Sequence, residues 1–265
     1  MNETLEKLVS HLDQGVLAST GVIPWGCPVP SFGDLSKSTV ATLGLNPSNR
    51  EFVDEFGVEL DGPARRFHSL RSLGLDRWSQ AKERHLQLIR ESCSKYFVRN
   101  PYDLWFKKLD TILGGMSVSY YGDNAKACHL DLVPYATSSK WTALLPKERM
   151  TLLDAVGDTL GHLLRDSPVR LLVLNGASVI SNFERMADVR LHKQRVAEWS
   201  LPRKATDVTG YAYVGTIRYF HTVKLKRDVL VLGFNHNIQS SFGVTKNVVS
   251  GIRDWMANAA TSVLA

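Results

Sequence analysis

Four short apolar runs constrain this chain more than anything else in it: Thr39–Leu45 (TVATLGL), Ala127–Val133 (ACHLDLV), Val169–Leu174 (VRLLVL) and Val229–Phe234 (VLVLGF). Each has strand length and is too continuously apolar to have one wet face, the pattern of a strand covered on both sides. Between them lie segments with apolar residues at helical spacing. Pro101–Leu113 carries Leu104, Trp105, Leu109 and Leu113, and Glu148–Leu164 carries Met150, Leu153, Val156, Leu160 and Leu163. Gly176–Met186 follows the third run and Thr245–Met256 the fourth. Strands alternating with helices predict an α/β fold, a three-layer α/β/α arrangement around a central four-stranded, mostly parallel sheet.

One stretch breaks the alternation. From Arg190 to Arg227 there are nine Lys or Arg and two acids, Glu198 and Asp207, so this segment carries +7 against +6 for the whole chain, and the rest is close to neutral. Its YAYVGTIRYFHTVKL portion predicts a basic β-hairpin insertion, about residues 190–227, turning near Gly215. Basic residues interleaved with Trp199, Tyr211, Tyr213, Tyr219 and Phe220 suit a polyanion whose bases can stack, while a merely solvated basic hairpin is the plain alternative. With no Pro- or Ser-rich linker, a single domain over residues 1–265 is expected, and VIPWGCPVPSFGD reads as an ordered loop before the first strand.

Several classes fall away. No apolar run approaches the roughly 20 residues that span a bilayer. The N-terminal MNETLEKLVSHLDQGVL alternates charged and apolar residues at helical spacing and has no signal-peptide core, so a cytoplasmic location is expected. Cys27, Cys93 and Cys128 stand far apart without a CxxC pair, which argues against a metal site or a disulfide framework and for structural thiols. The first strand is not followed by GxGxxG, and neither GxxxxGK[ST] nor GxSxG occurs, so a nucleotide-binding α/β protein or a serine hydrolase has little support.

Three strands end in polar sequence: GLNPSNREF, DLVPYAT with Asp131 set in an apolar run, and GFNHNIQSSFG. In parallel strands these ends share one edge, where open α/β sheets bind ligands. Each has a plain explanation by itself. Asn46-Pro47 opens turns, Asp131 can cap a helix or hold a loop amide, and Ser240-Ser241 can cap the last helix. Their convergence on one edge is what suggests a site.

These motifs resemble those of the uracil-DNA glycosylase superfamily. GLNPS is similar to its first motif, in the Asn-Pro form of the mismatch-specific and single-strand-selective branches. NHNIQSS is similar to its second, DLVPYAT stands where the family keeps its base-reading strand, and LLVLNGASV matches the strand-then-helix element between them. The likeness runs in order over roughly Pro24–Met256. It implies a monofunctional DNA glycosylase, a monomer without metal or cofactor, that flips a base out of DNA and hydrolyses its N-glycosidic bond to leave an abasic site. It assigns Asn46 to positioning the attacking water and His236, or Asn235 one place earlier, to stabilising the departing base. Phe67 or Phe52 is the expected stacking ring. Arg50, Arg65 and Arg66 are expected on phosphates, with Ser48, Ser240, Ser241 and Lys246 on the DNA. Gln239 or Ile238 is expected in the gap left by the flipped nucleotide.

Asp131 departs from uracil-specific relatives, which carry Asn near this position. An ionised carboxylate only accepts hydrogen bonds, so it suits the exocyclic amine of cytosine and repels O4 of uracil. Ordinary cytosine cannot be the intended target in the host's own genome. A modified cytosine foreign to the host, such as the hydroxymethylated or glucosylated base of phage DNA, is expected, as in a defence branch of the superfamily. Repair of uracil or deaminated bases is the alternative, and a non-catalytic nucleic-acid-binding module is the alternative of another class. All of this requires Asn46, Asp131 and His236 to line one pocket.

Overall fold

The computed structural model describes residues 2–99, 103–122, 125–203 and 206–264. Pro101 and Tyr102, at the start of one expected helix, and Lys204, in the basic stretch, lie outside the described residues. The chain is α/β with a mixed six-stranded sheet rather than four strands, in the order β2-β1-β3-β6-β5-β4. Four strands are parallel: β1 (Val40–Gly44), β2 (Ala127–Asp131), β3 (Leu171–Asn175) and β6 (Val223–Phe234). β5 (Tyr211–Phe220) and β4 (His192–Arg195) extend the sheet antiparallel beyond β6.

The helices fall on both faces. Val40, Leu171, Val173 and Leu232 turn to one core, shared with α3 (Glu83–Ser94), α4 (Asp103–Leu113) and α8 (Lys246–Leu264). Ala41, Leu43, Leu172 and Leu174 turn to the other, shared with α5 (Pro146–Val156), α6 (Thr159–Arg165) and α7 (Ala177–Ala187). Successive residues turn to opposite cores and both faces are covered, which is why the runs read as continuous. α1 (Asn2–Asp13) closes the side, with Leu5 and Val9 in the first core and Leu8 in the second. The short α2 (Leu70–Leu73) lies in the long β1–β2 connection. No helix among the described residues is long and apolar enough to cross a membrane.

Several local expectations are corrected. The basic stretch is not an insertion, because its hairpin runs straight into the fourth apolar run as β5 and β6. The turn is at His221-Thr222, not Gly215. His221 takes the left-handed conformation (φ 51°), and Asp158 holds the turn through the His221 ring, Thr222 N and Thr222 Oγ1. Gly215 stays inside β5, where a Cβ would lie 2.5 Å from Leu191 Cδ2. The expected Glu148–Leu164 helix breaks at Gly157 into α5 and α6. In α4 the buried face is Phe106, Leu109, Ile112 and Leu113, and Leu104 is 83 % exposed. α8 starts at Lys246 behind Thr245, whose hydroxyl accepts from Val248 N, so Ser240-Ser241 do not cap it. All three cysteines are buried and free, and burial pushes the thiols of Cys93 and Cys128 up to about 12.

Candidate functional site

The connection leaving β1 runs to β2 on one side, and the next crosses to β3 on the other. The sheet therefore switches direction beside β1, and a crevice opens past the carboxyl ends of the strands. A cavity of about 350 Å³ fills that crevice. The end of each parallel strand supplies an amide or acid to it: Asn46 after β1, Asp131 at the end of β2, Asn175 at the end of β3 and Asn237 after β6. Phe32, Trp105, Phe106 and Trp141 form apolar walls, with Ser48, Ser240 and Lys140 also lining it.

Asn46 is oriented by its amino group. Nδ2 donates to Thr137 Oγ1 at 2.9 Å, to the Pro47 carbonyl at 3.0 Å and, more weakly, to the Tyr135 carbonyl at 3.4 Å. Thr137 spends its own proton on the Ser139 carbonyl at 2.6 Å, so its oxygen can only accept from Asn46. The atom left over is Oδ1, which accepts from no described residue. It can accept a hydrogen bond from a water and so orient that water's lone pair.

Asp131 is 6 % exposed and stands beside His129, two residues earlier on the same face of β2, with Nε2 3.4 Å from Oδ1. His129 Nδ1 meets Thr42 Oγ1 at 2.7 Å, and Thr42 Oγ1 meets the Tyr120 hydroxyl at 2.5 Å. If Tyr120 donates to Thr42 and Thr42 to Nδ1, the imidazole carries its proton on Nε2 and presents it to Asp131, and every group in the chain is satisfied. Gly44 makes the pair possible, since a Cβ there would collide with Asp131 Oδ1 and lie 2.9 Å from His129 Nε2.

Glu51 is the residue that sequence reasoning missed. In GLNPSNREF it looks like a solvated acid in a turn. It lies instead in the 3-10 turn Asn49–Glu51, 3 % exposed, and lines the cavity with Asp131. The Tyr96 hydroxyl donates to Oε1 and Oε2 at 3.1 and 3.0 Å, and Arg66 Nη1 is 3.5 Å from Oε2. Burial lifts its carboxyl from 4.5 to about 7, against the pull of Arg66 and Tyr96 and with Asp131 adding to the rise. The folded protein thus favours protonated Glu51, and the stability that proton confers is full below about 4.5 and lost as pH rises through about 7. A rise of that size corresponds to on the order of 3 kcal/mol. Glu51→Gln, which cannot ionise, is expected to melt close to the parent near pH 4.5 and above it at pH 8. Melting curves that keep the same separation at both pH values would contradict this.

Other expected site residues fall elsewhere. His236 is 2 % exposed and does not line the cavity; its Nε2–H donates to the Trp199 carbonyl at 2.7 Å, and burial lowers its pKa. Asn235 is also structural, accepting from Tyr211 N at 2.8 Å and donating to the Thr209 carbonyl at 2.8 Å. Asn237 faces the cavity instead. Its Oδ1 accepts from Gln239 N and Ser240 N, which leaves Nδ2 as the group it can offer. Chain direction after Phe234 is set by these turn bonds, which strand alternation does not foretell.

Phe52 and Phe67 are core residues. Phe67 stacks on Tyr96 (5.3 Å between centroids) and Phe52 packs on Trp25 and Phe67, so neither offers a free face to a ligand. The arginines are engaged internally: Arg66 with Glu51 and the Arg50 carbonyl, Arg65 with Asp61, and Arg50 with the Asp54 carbonyl. Gln239 accepts from Asn175 Nδ2 at 2.5 Å, and Ile238 is buried, so neither projects outward. The projecting residue of that loop is Phe242, 84 % exposed. Ser48 accepts from Arg50 N while lining the cavity, Ser240 lines it too, Ser241 is half-buried nearby in the same loop, and Lys246 is exposed.

The basic stretch is divided. At the far end of the hairpin, Arg218 pairs with Asp228, Lys226 with Asp166, and Arg227 with the Ser167 carbonyl. Arg195, paired in register with Tyr211, and Arg203, bonded to the Phe242 carbonyl, stand at the cavity end. Lys107 and Lys108 on α4 border a shallow groove that shares Trp105 with the cavity. Among the described residues no group of His, Cys, Asp and Glu is placed to hold a metal ion. Compared with models of known protein families and with curated proteins, the chain matches none.

Proposed function

We propose that this protein is a monofunctional DNA glycosylase that excises a modified cytosine, with phage DNA carrying hydroxymethylated or glucosylated cytosine as the substrate class. One observation carries this: the fixed amide of Asn46 and the buried side chain of Asp131 share a cavity at the carboxyl edge of the sheet. Its size lies in the range of about 300–1,000 Å³ usual for small-ligand sites.

The extruded base enters between the aromatic walls. Asp131, held by His129, accepts from the exocyclic amine. Asn46 Oδ1 orients water toward C1′ as the sugar acquires oxocarbenium character. Asn237 Nδ2 takes the donor role toward the base that His236 was expected to fill. Lys140 and the α4 lysines stand near the mouth for phosphates, and Phe242 is the apolar residue exposed to enter the vacated stack.

The test is incubation of purified protein with DNA carrying cytosine, uracil, hydroxymethylcytosine or its glucosylated form, followed by alkaline cleavage. Strand breaks at a modified cytosine are expected. Intact strands from every substrate would refute the activity. Asp131→Asn should shift preference toward uracil by roughly 10- to 100-fold, the worth of one good base contact of about 1–3 kcal/mol. An unchanged preference would remove the role given to the carboxylate.

A second possibility, a non-catalytic nucleic-acid-binding module, is favoured by the packing of His236 away from the cavity. It requires Asn46 substitutions to leave both binding and biological effect intact.

A further inference from the structure

The cavity holds two carboxyl groups, Asp131 and Glu51, and base reading uses only one. A cytosine-type base is a poorer anionic leaving group than uracil, because its amine donates electrons where uracil has a second carbonyl. Protonation of its ring nitrogen N3 removes the difficulty, since the base then departs neutral. N3 lies beside the exocyclic amine, on the same edge that faces Asp131. A site reading that amine with one carboxylate therefore has a place for a second carboxyl, carrying a proton.

We propose that Glu51 is the general acid of the reaction and that its substrates are aminopyrimidines, bases that must be protonated to leave. This rests on the glycosylase function proposed above. As the C1′–N1 bond breaks, its electron pair stays with the base while the Glu51 proton passes to N3. Water oxygen bonds to C1′, and the proton it sheds returns to Glu51. The products are the neutral base and the abasic sugar.

Three neighbours make Glu51 suited to this. Tyr96, whose own proton is held tightly by burial and by Glu51, donates to both carboxyl oxygens and supports the anion after transfer. Arg66 adds a cation at 3.5 Å. Asp131, with His129 beyond it, adds negative charge from the other side and helps retain the proton beforehand. A catalytic acid works best when its pKa lies near the working pH, and about 7 meets that condition.

The experiment measures single-turnover excision of hydroxymethylcytosine and its glucosylated form from DNA between pH 5.5 and 9. The wild-type rate should fall about tenfold per pH unit above about 7, as one titrating group loses its proton. Glu51→Gln should lower the rate by about 10²–10⁴-fold and flatten that profile, with DNA affinity within about twofold of wild type. The loss should shrink for 5-formylcytosine and 5-fluorocytosine, whose substituents stabilise the departing base. A variant that fails to fold leaves the wild-type profile and the wild-type leaving-group series to decide. A rate flat from pH 6 to 9, or a Glu51→Gln loss equal for all bases, would overturn the acid role while leaving the glycosylase in place. No excision of any base by wild-type protein would overturn both.

Discussion

Asn46→Ala is expected to reduce base excision by about 100-fold or more while leaving DNA affinity nearly unchanged, because misplacing a reacting group costs rate far more than binding. The side chain is held by three acceptors, and what it presents to the cavity is one oxygen. Truncation removes that oxygen and leaves the Thr137 hydroxyl and the Pro47 carbonyl without their donor. Asn46→Asp should be no remedy, since a carboxylate would set oxygen against the Pro47 and Tyr135 carbonyls. Parallel measurement of single-turnover excision and DNA binding checks the prediction. If both variants excise at the wild-type rate, Asn46 does not orient the water; if affinity falls as far as rate, its role is in binding.

Gly44→Ala should damage both the fold and the site. Gly44 resists substitution through proximity and not through backbone conformation. The methyl would strike Asp131 Oδ1 and press within 2.9 Å of His129 Nε2 and 3.1 Å of Cε1. Neither neighbour can retreat easily. His129 is bound to Thr42 and ringed by Phe32, Trp105 and Phe106, and Asp131 ends a strand buried along its whole length. Overpacking of this kind costs about 1–3 kcal/mol. A lower urea midpoint together with loss of excision is therefore expected. A Gly44→Ala protein with wild-type midpoint and activity would show that the carboxylate–imidazole pair is not held this tightly.

The parts of the fold legible in the sequence were those set by chain-local pattern. Unbroken apolar runs gave parallel strands, and polar residues just beyond them marked the edge that carries the cavity, so Asn46 and Asp131 were found. His129 was within reach, because it precedes Asp131 by two and must share its face. The rest depended on contacts distant in sequence. Glu51 is buried only because Tyr96 and Arg66, 45 and 15 residues away, close over it. Phe52 and Phe67 looked like stacking platforms until Trp25, Phe32 and Tyr96 claimed their faces. His236 and Asn237 differ by one position in a turn where neither helical nor strand periodicity holds. The hairpin was misplaced because Gly215 suggested a bend, whereas Leu191 packs over it and Asp158 fixes the turn six residues later.

β4 has one further consequence. Its four residues, His192, Lys193, Gln194 and Arg195, are all exposed at the margin of the sheet, with Lys193 Nζ 3.9 Å over the Tyr211 ring. Open strand margins invite a neighbouring molecule to continue the hydrogen-bond ladder, and like charges brought face to face deny that invitation. Two copies approaching along β4 would oppose lysine and arginine to their own kind. That repulsion fades as ions screen it, so concentrated salt or an acidic polymer would lower the barrier to self-association along this margin.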